Sequence, residues 1–281
     1  MAVQKVIRKK SKAKADPLAR QKAIWMVGHG LTLGLGAIYG LFYLYQCLTF
    51  YRYRSWKTLF LISRPTQNKP KTWLKWLWRL CPQIAYRLSL IGALAAHSVT
   101  SYQTWLNLNP TWYDLLSQEN FQGILIAALW LFSRASIFKI LPFMLSSFLH
   151  LTVKDAKKDE KDTKSAEDAD EEKTKSSKSA DRTTSLLHVI AYSELVVVVT
   201  LIFDTVTFRD GVAGFLLVMY LSIYWLRLNF SPYAQETLLR LVMKVDQKVP
   251  PKYQPQWKEL KQFLYLRMDD SRKRQAEVAN K

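Results

Sequence analysis

The chain has 281 residues and a formal net charge of +19, and its charged and apolar residues are segregated along the sequence. No Asp, Glu, Lys or Arg occurs from residue 23 to residue 51, a run longer than the roughly 20 residues that cross a hydrocarbon core. Further uncharged runs cover 88–113, 121–133, 140–153, 183–193 and 211–226. A chain of this size cannot bury several such helices in its own interior. The pattern excludes an ordinary soluble protein and predicts an all-α, polytopic integral membrane protein.

The positive charge suits either nucleic acid or an anionic membrane surface. With membrane helices present, retention of basic segments on the cytoplasmic side explains the charge better than direct nucleic-acid binding. Cys47 and Cys81 are far apart and form no C-x-x-C pair, so neither a disulfide framework nor a metal site is predicted. The first apolar run begins late and lacks a small-x-small cleavage site, so we expect it to remain as a signal anchor.

The amino-terminal tail, residues 1–18, is basic, and we expect it to be disordered and cytosolic. A membrane region follows over 19–151, and its first helix is predicted over about 19–50. The repeated spacings Gly30-x-x-x-Gly34 and Gly36-x-x-x-Gly40 slightly favour close helix contact in this segment, although glycine is also simply common in membrane helices.

An interfacial helix is predicted over 70–81, within a segment (52–87) that carries nine basic residues and no acidic one. Trp73 and Trp76 share one helical face there, and tryptophan prefers the boundary between membrane and water. Stacking of these rings on nucleic-acid bases is the alternative, but no nucleic-acid-binding module pattern accompanies them. A second membrane helix is predicted over about 84–106.

A short helical hairpin is predicted over 121–151. Two apolar arms, 121–133 and 137–151, flank Arg134, whose place in the middle of a straight membrane helix would cost about 3 kcal/mol or more. A turn at Arg134 avoids that cost. Each arm, about 20 Å long, is too short for a full crossing, so we expect a shallow wedge inserted from one side.

Residues 152–185 are almost entirely polar and are predicted to form a disordered, charged cytosolic loop. A second membrane hairpin is predicted over 186–228, with its turn at Arg209 and Asp210. Glu194 and Asp204 lie in its first arm. Acids within a membrane are candidate functional groups; the alternative, which we favour, is that they face the protein interior or a neighbouring Arg or Tyr.

The carboxy-terminal region, 229–281, is predicted to form two basic amphipathic helices in series. They would act either as interfacial anchors or as a small cytosolic lid packed on the bundle, and the sequence does not separate the two. The chain closes with a short basic cluster that a transport receptor could read: Arg272, Lys273 and Arg274. The apolar stripes of the two helices include Leu238, Leu241 and Val245 in the first helix, and Trp257, Leu260 and Leu264 in the second.

No enzyme motif accompanies these elements. The sequence has no P-loop, dinucleotide-binding glycine pattern, H-E-x-x-H or G-x-S-x-G, and its four histidines are scattered. We therefore predict no catalytic residue, no cofactor, no metal ligand and no small-molecule substrate. A transporter is also disfavoured, because no inverted repeat is visible.

The order of segments resembles the transmembrane protein 33 family, whose fungal members are pore-membrane proteins of the endoplasmic reticulum and nuclear envelope. The resemblance covers roughly 120–245 and is carried by four patterns in a fixed order. These are Ile137-Phe138-x-x-Leu141-Pro142-Phe143-Met144-Leu145-x-x-Phe148-Leu149-His150, then Ile190-Ala191-x-x-Glu194, then Tyr220-x-x-x-Tyr224-x-x-Arg227, then Ser231-Pro232-Tyr233.

The resemblance implies a tetra-spanning, non-enzymatic protein that shapes tubular membrane and supports the assembly or distribution of nuclear pore complexes. It also implies reticulon-type proteins, nucleoporins and an import receptor as partners, besides the anionic lipids that the basic helices suit. The alternative is a membrane scaffold or adaptor without intrinsic curvature activity. We expect 1–18, 152–185 and 229–281 to face the cytosol. If the first two helices both cross, however, the basic segment 52–83 lies in the lumen, against the charge rule.

Overall fold

The computed structural model describes residues 17–53, 73–106, 109–162, 169–208, 211–246 and 248–279. Within these ranges the chain forms nine α-helices and one 3₁₀ turn, and no residue lies in a β-strand, which confirms the all-α prediction. The helices are α1 (Pro17–Tyr53), α2 (Trp73–Trp105), α3 (Trp112–Ser117), α4 (Glu119–Phe132), α5 (Ile137–Asp162), α6 (Ala169–Val206), α7 (Ala213–Phe230), α8 (Pro232–Asp246) and α9 (Gln254–Ala279), with the 3₁₀ turn at Pro251–Tyr253.

Three stretches of the described helices are long and apolar enough to cross a membrane: Leu18–Thr49, Thr183–Val206 and Ala213–Phe230. Shorter apolar helices cover Glu119–Phe132 and Ile137–Thr152. The predicted second membrane helix, 84–106, corresponds to the second part of α2, which ends at Trp105, but it is not among the long apolar stretches. It carries Arg87 and several hydroxyl, amide and imidazole groups, which lower its hydropathy.

The outward faces of these helices are apolar. Val199, Phe203 and Phe215 are each at least 60% exposed, and many other large apolar side chains are exposed with them. A soluble protein rarely shows contiguous apolar surface on this scale, whereas lipid solvates it. The bundle therefore has the surface of a protein that lies within a bilayer.

Helices α1, α2, α4, α5, α6 and α7 form three antiparallel hairpins: α1–α2, α4–α5 and α6–α7. In the first, Gln21 lies beside Gln103, Trp25 beside Thr100 and Thr32 beside Ser89, so the numbering rises in α1 as it falls in α2. We call the end of the bundle that holds the 133–136 connection and Phe208 the turn end. The opposite end is the terminal end, and it holds Leu18, Trp105, Glu119, Thr152, Thr183 and Phe230.

Helices α1 and α2 cross with their backbones in contact. A Cβ added to Gly28 would lie 2.8 Å from the carbonyl oxygen of Gly92, and one added to Gly92 would lie 2.7 Å from that of Gly28. Beside this contact, Ser89 Oγ donates to the Thr32 carbonyl at 2.7 Å, and Thr32 Oγ1 lies 3.2 Å from the Ser89 carbonyl. Small residues and reciprocal hydroxyl bonds of this kind are a usual means of joining helices in lipid.

Of the glycines in the two predicted spacings of α1, only some lie close to another helix. A Cβ added to Gly30 or to Gly34 would meet no other atom within 4 Å, so that pair faces away from the bundle. Gly36 lies against the flexible Met144 side chain, and a Cβ added to Gly40 would lie 3.4 Å from Ile137 Cδ1. The prediction of close contact was therefore wrong for the first pair, because the helix is apolar around its whole circumference and spacing alone does not set its rotation.

The predicted turn at residues 133–136 is present, and Arg134 is half-buried there. Lys139, which the sequence places inside an apolar arm, is buried and holds the turn: its Nζ donates to the Arg134 carbonyl at 3.1 Å and to Ser133 Oγ at 3.2 Å. It also lies 5.0 Å from the centre of the Trp130 ring. The Lys139 ammonium group therefore has hydrogen-bond acceptors inside the protein and does not need to reach water.

The two arms of this middle hairpin have different main neighbours. Helix α4 packs against α2 and α7, whereas α5 packs against α1 and α6. The arms therefore form part of the bundle wall. They are as short as predicted: α4 has 14 residues, and the apolar part of α5 ends at Thr152. Helix α5 continues through Pro142.

The structure differs from the predicted disordered loop at 152–185. Helix α5 extends to Asp162, and α6 begins at Ala169, so most of this polar segment continues the helices that flank it. Its lysine, glutamate and alanine residues have high intrinsic helix propensity, and each helix is already nucleated by its apolar part. The predicted turn residues Arg209 and Asp210 lie outside the described residues. Phe208, just before them, has φ of 46°, in the left-handed region that non-glycine residues seldom adopt.

Candidate functional site: a buried polar cavity and an amphipathic tail

A buried ion pair joins α6 to α7. Glu194 and Arg227 form a salt bridge with side chains only 5% and 15% exposed. Arg227 Nε also points to Gln122 Oε1 of α4 at 3.4 Å, and Gln122 Nε2 donates to the Leu116 carbonyl at 2.7 Å. The favoured interpretation of Glu194, pairing with an Arg in the interior, is what the geometry shows. The other acid in this arm, Asp204, is half-buried near the turn end.

A cavity of about 350 Å³ lies beside this pair, enclosed by α2 and α4–α8. Its polar lining includes His97, Asn120, Glu194 and Arg227, and most of its other lining residues are apolar. His97 Nδ1 is hydrogen-bonded to Asn120 Oδ1 at 3.1 Å. No single sequence motif predicts this space, because its walls come from helices that are distant along the chain.

Three of the four histidines that are scattered in sequence meet at the terminal end. The ring centres of His29 and His150 are 4.9 Å apart, and those of His29 and His97 are 6.2 Å apart. His29 Nδ1 is hydrogen-bonded to Ser147 Oγ at 3.0 Å. Within the described ranges, no three His, Cys, Asp or Glu side chains are placed to hold a metal ion. The three rings contact one another between α1, α2 and α5.

Helices α8 and α9 use one face of their apolar surface to pack on the bundle. Leu238 of α8 contacts the Leu228 cluster of α7. Leu264 and the buried Met268 of α9 lie with Leu238 against the end of α7. The Trp225 and Phe263 rings stack at 6.2 Å. These contacts match the lid interpretation of the tail.

A second apolar face of the same helices is exposed. Leu241, Val245 and Leu260 are 38–47% exposed, and Leu266 of α9 is 61% exposed. The residues predicted as one interfacial stripe thus divide into a packed set and an exposed set. The two interpretations of the tail are compatible, since a lid can carry an interfacial outer face.

Asp246 connects the two tail helices. Its Oδ1 accepts hydrogen bonds from Lys261 Nζ and from Trp257 Nε1, each at 2.7 Å. The bond from Lys261, reinforced by that from Trp257, holds the pKa of the Asp246 carboxyl below its usual value. Trp257, predicted as an interfacial anchor, is therefore half-buried between helices.

The remaining predicted interface residues lie apart from this tail contact. Trp73 begins α2 and is 69% exposed, while the side chain of Trp76 lies outside the described residues. In the basic cluster, Lys273 is exposed, and its Nζ lies 2.8 Å from Asp269 Oδ2. The side chains of Arg272 and Arg274 are outside the described residues.

A helical bundle with apolar outer faces and buried, paired polar groups is an all-α, polytopic integral membrane protein. The family described as Transmembrane protein 33/Nucleoporin POM33 matches residues 71–258, and the chain belongs to this family. A Saccharomyces cerevisiae relative, described as "Uncharacterized membrane protein YGR026W", is 46% identical over 285 residues, which cover 98% of this chain and 97% of the relative. No solved structure matches the chain.

Proposed function

We propose that this protein is a non-enzymatic organiser of the endoplasmic reticulum and nuclear envelope, which shapes tubular membrane and supports nuclear pore complex assembly or distribution. The family description names a nucleoporin, and the relative is described as a membrane protein. Partners of the reticulon type, nucleoporins and an import receptor fit this role and are part of the proposal.

The observation that carries the proposal is the unequal depth of the hairpins. Ile137, at the turn end of the middle hairpin, lies beside Gly40 of α1. Helix α1 continues for another 13 residues, to Tyr53, or about 20 Å. The α4–α5 hairpin therefore ends well short of the depth that α1 reaches. The leaflet at the terminal end accommodates more helices than the opposite leaflet, an asymmetry that favours curved membrane.

The tail adds to this asymmetry at the terminal end. The exposed apolar face of α8 and α9 is flanked by basic side chains that include Arg240, Lys244 and Lys258. Such a surface binds the headgroup region of anionic membranes and is sensitive to curvature. Insertion of this face would add area only to the leaflet at the terminal end.

Reconstitution of the full chain into liposomes tests the proposal. The purified protein should convert vesicles into tubules without any partner, as seen by electron microscopy. Inserting about six leucines into each of α4 and α5 brings both arms close to the 30 Å of a hydrocarbon core. This lengthened protein should still insert but should tubulate poorly. Equal tubulation by both forms would show that hairpin depth is not the cause.

The tail is tested in the same assay with a charge-matched pair. Leu260→Asp places a carboxylate on the exposed apolar face, whereas Gln256→Asp adds the same charge at an exposed polar position of α9. Only Leu260→Asp should weaken tubulation. If the unmodified protein leaves vesicles round, the adaptor role without curvature activity replaces the proposal.

Protease protection in sealed microsomes tests the proposed topology. Residues 18, 152, 183 and 230 all lie at the terminal end, which supports a common cytosolic side for 1–18, 152–185 and 229–281. A tag at residue 165 should be digested from outside. A tag at residue 65 reports whether α1 and α2 carry the basic segment into the lumen. Protection at residue 165 would overturn the topology.

A further inference from the structure

We propose that the cavity beside Glu194 and Arg227 binds one acyl chain of a zwitterionic phospholipid, with the headgroup at the terminal end of the bundle. The cavity volume of about 350 Å³ lies at the lower end of the roughly 300–1,000 Å³ range of small-molecule pockets. A whole phospholipid does not fit in that space, whereas part of one chain does.

The charged side chains of the lining lie toward the terminal end, and the deepest part of the lining is apolar. Glu119, His150 and Pro232 line the rim and are exposed. Trp130, Val197 and Tyr220 line the floor and are at most 2% exposed. Glu119 and Trp130 are 11 residues apart on α4, which corresponds to about 16 Å of depth. This gradient matches a molecule with a polar head and an apolar chain.

The floor is suited to hydrocarbon. Besides Trp130 and Val197, its walls include Ile126 and Phe143, and a cavity lined by apolar side chains stays dry and accepts apolar molecules. The surrounding solvent of the bundle is lipid, so acyl chains are the apolar molecules at the highest local concentration.

The rim carries charges of both signs. Arg227 supplies a guanidinium group that also interacts electrostatically with Glu119, and Glu194 is paired with Arg227. A phosphate can accept from Arg227 while a headgroup ammonium lies near Glu119. A purely anionic headgroup would meet two carboxylates, which disfavours it.

The probe for this site is a phosphatidylcholine with a photoreactive group near the end of one chain, added to the full-length protein in phosphatidylcholine vesicles. We expect crosslinks to floor residues such as Trp130 and Phe143, which bulk lipid does not reach. Outward residues such as Phe203 and Phe215 report contact with bulk lipid. Crosslinks confined to the outward residues would overturn the proposal.

A matched pair of substitutions tests occupancy. Ser146→Phe fills the cavity from α5, whereas Ser222→Phe adds the same ring on the exposed face of α7. The first should abolish floor crosslinks and keep outward ones, and the second should keep both. Floor crosslinks that persist in folded Ser146→Phe contradict the site. If that variant does not fold, the smaller filler Ala191→Val takes its place and should reduce floor crosslinks.

The headgroup is tested with a photoreactive diacylglycerol that has the same chains and no phosphate. It should label the floor less than the phosphatidylcholine probe does. Equal labelling by the two probes would refute the role of Arg227 and Glu119 at the rim. Tubulation by the same variants is measured separately. Crosslinking then tests the lipid site and tubulation tests the membrane-shaping proposal, so either proposal can fail without the other.

Discussion

Exchange of the buried ion pair for neutral amides probes the interior of the bundle near its terminal end. Glu194→Gln leaves the Arg227 cation in a site where both side chains are at most 15% exposed. Removing one partner of a buried pair costs about 3–5 kcal/mol. The amide oxygen that this substitution introduces at position 194 can still accept from the Arg227 guanidinium, and a hydrogen bond to a charged group is worth about 1.5–3 kcal/mol. We therefore expect Glu194→Gln to destabilise the fold by about 1–3 kcal/mol.

Arg227→Gln should be more harmful, with a total loss of about 3–5 kcal/mol, because it leaves the buried Glu194 carboxylate without its cation. The double variant Glu194→Gln/Arg227→Gln removes both buried charges, although the side chain at position 227 becomes shorter, so its loss of stability should be smaller than the sum of the two single losses. The measurement is unfolding of the purified protein in mixed micelles, followed by tryptophan fluorescence across a denaturant series. If the double variant shows the sum of the two single losses, the residues do not act as a pair and the reasoning fails.

Three further outcomes follow from the helix contacts. Gly28→Leu should separate α1 from α2 and strongly reduce the folded yield on size-exclusion chromatography, whereas Gly30→Leu, in open space, should behave like the parent. Asp246→Asn should loosen α9 from α8 and raise the rate of limited proteolysis in the tail, because the carboxylate that binds Lys261 and Trp257 is lost. The lowered pKa of Asp246 implies that this contact is complete above the ordinary value of 3.8 and weakens as the pH falls through the folded-state pKa; proteolysis of the parent that is insensitive to acid would contradict this.

The hairpins and their turns could be predicted from the sequence because they depend on local patterns. The apolar arms on either side of Arg134 determine where a chain in lipid must turn, and the structure places the turn there. The second turn, near Phe208, could be predicted in the same way, because charged residues interrupt the apolar sequence there. The length of each arm is likewise set by the distance between charged residues.

The interior contacts could not be predicted, because their partners are distant in sequence. Glu194 and Arg227 are 33 residues apart, and Gly28 and Gly92 are 64 apart. The role of Lys139 could not be predicted, because the local sequence does not show which carbonyl oxygen will accept a hydrogen bond from its ammonium group. A hydrophobic pattern shows which residues avoid water. In a membrane protein nearly every face of a helix is apolar, so the pattern does not show which face points into the protein.

The shared terminal end of the three hairpins has a consequence for how the chain is made. In the proposed topology, each hairpin that leaves the ribosome would enter the bilayer and return to the side from which it came. We then expect that the chain can be divided between Asp162 and Ala169 into two pieces, each of which holds whole hairpins. Expressed together, the pieces need no change in orientation to assemble, and the contact of α5 with α6 is the interface at which they would meet.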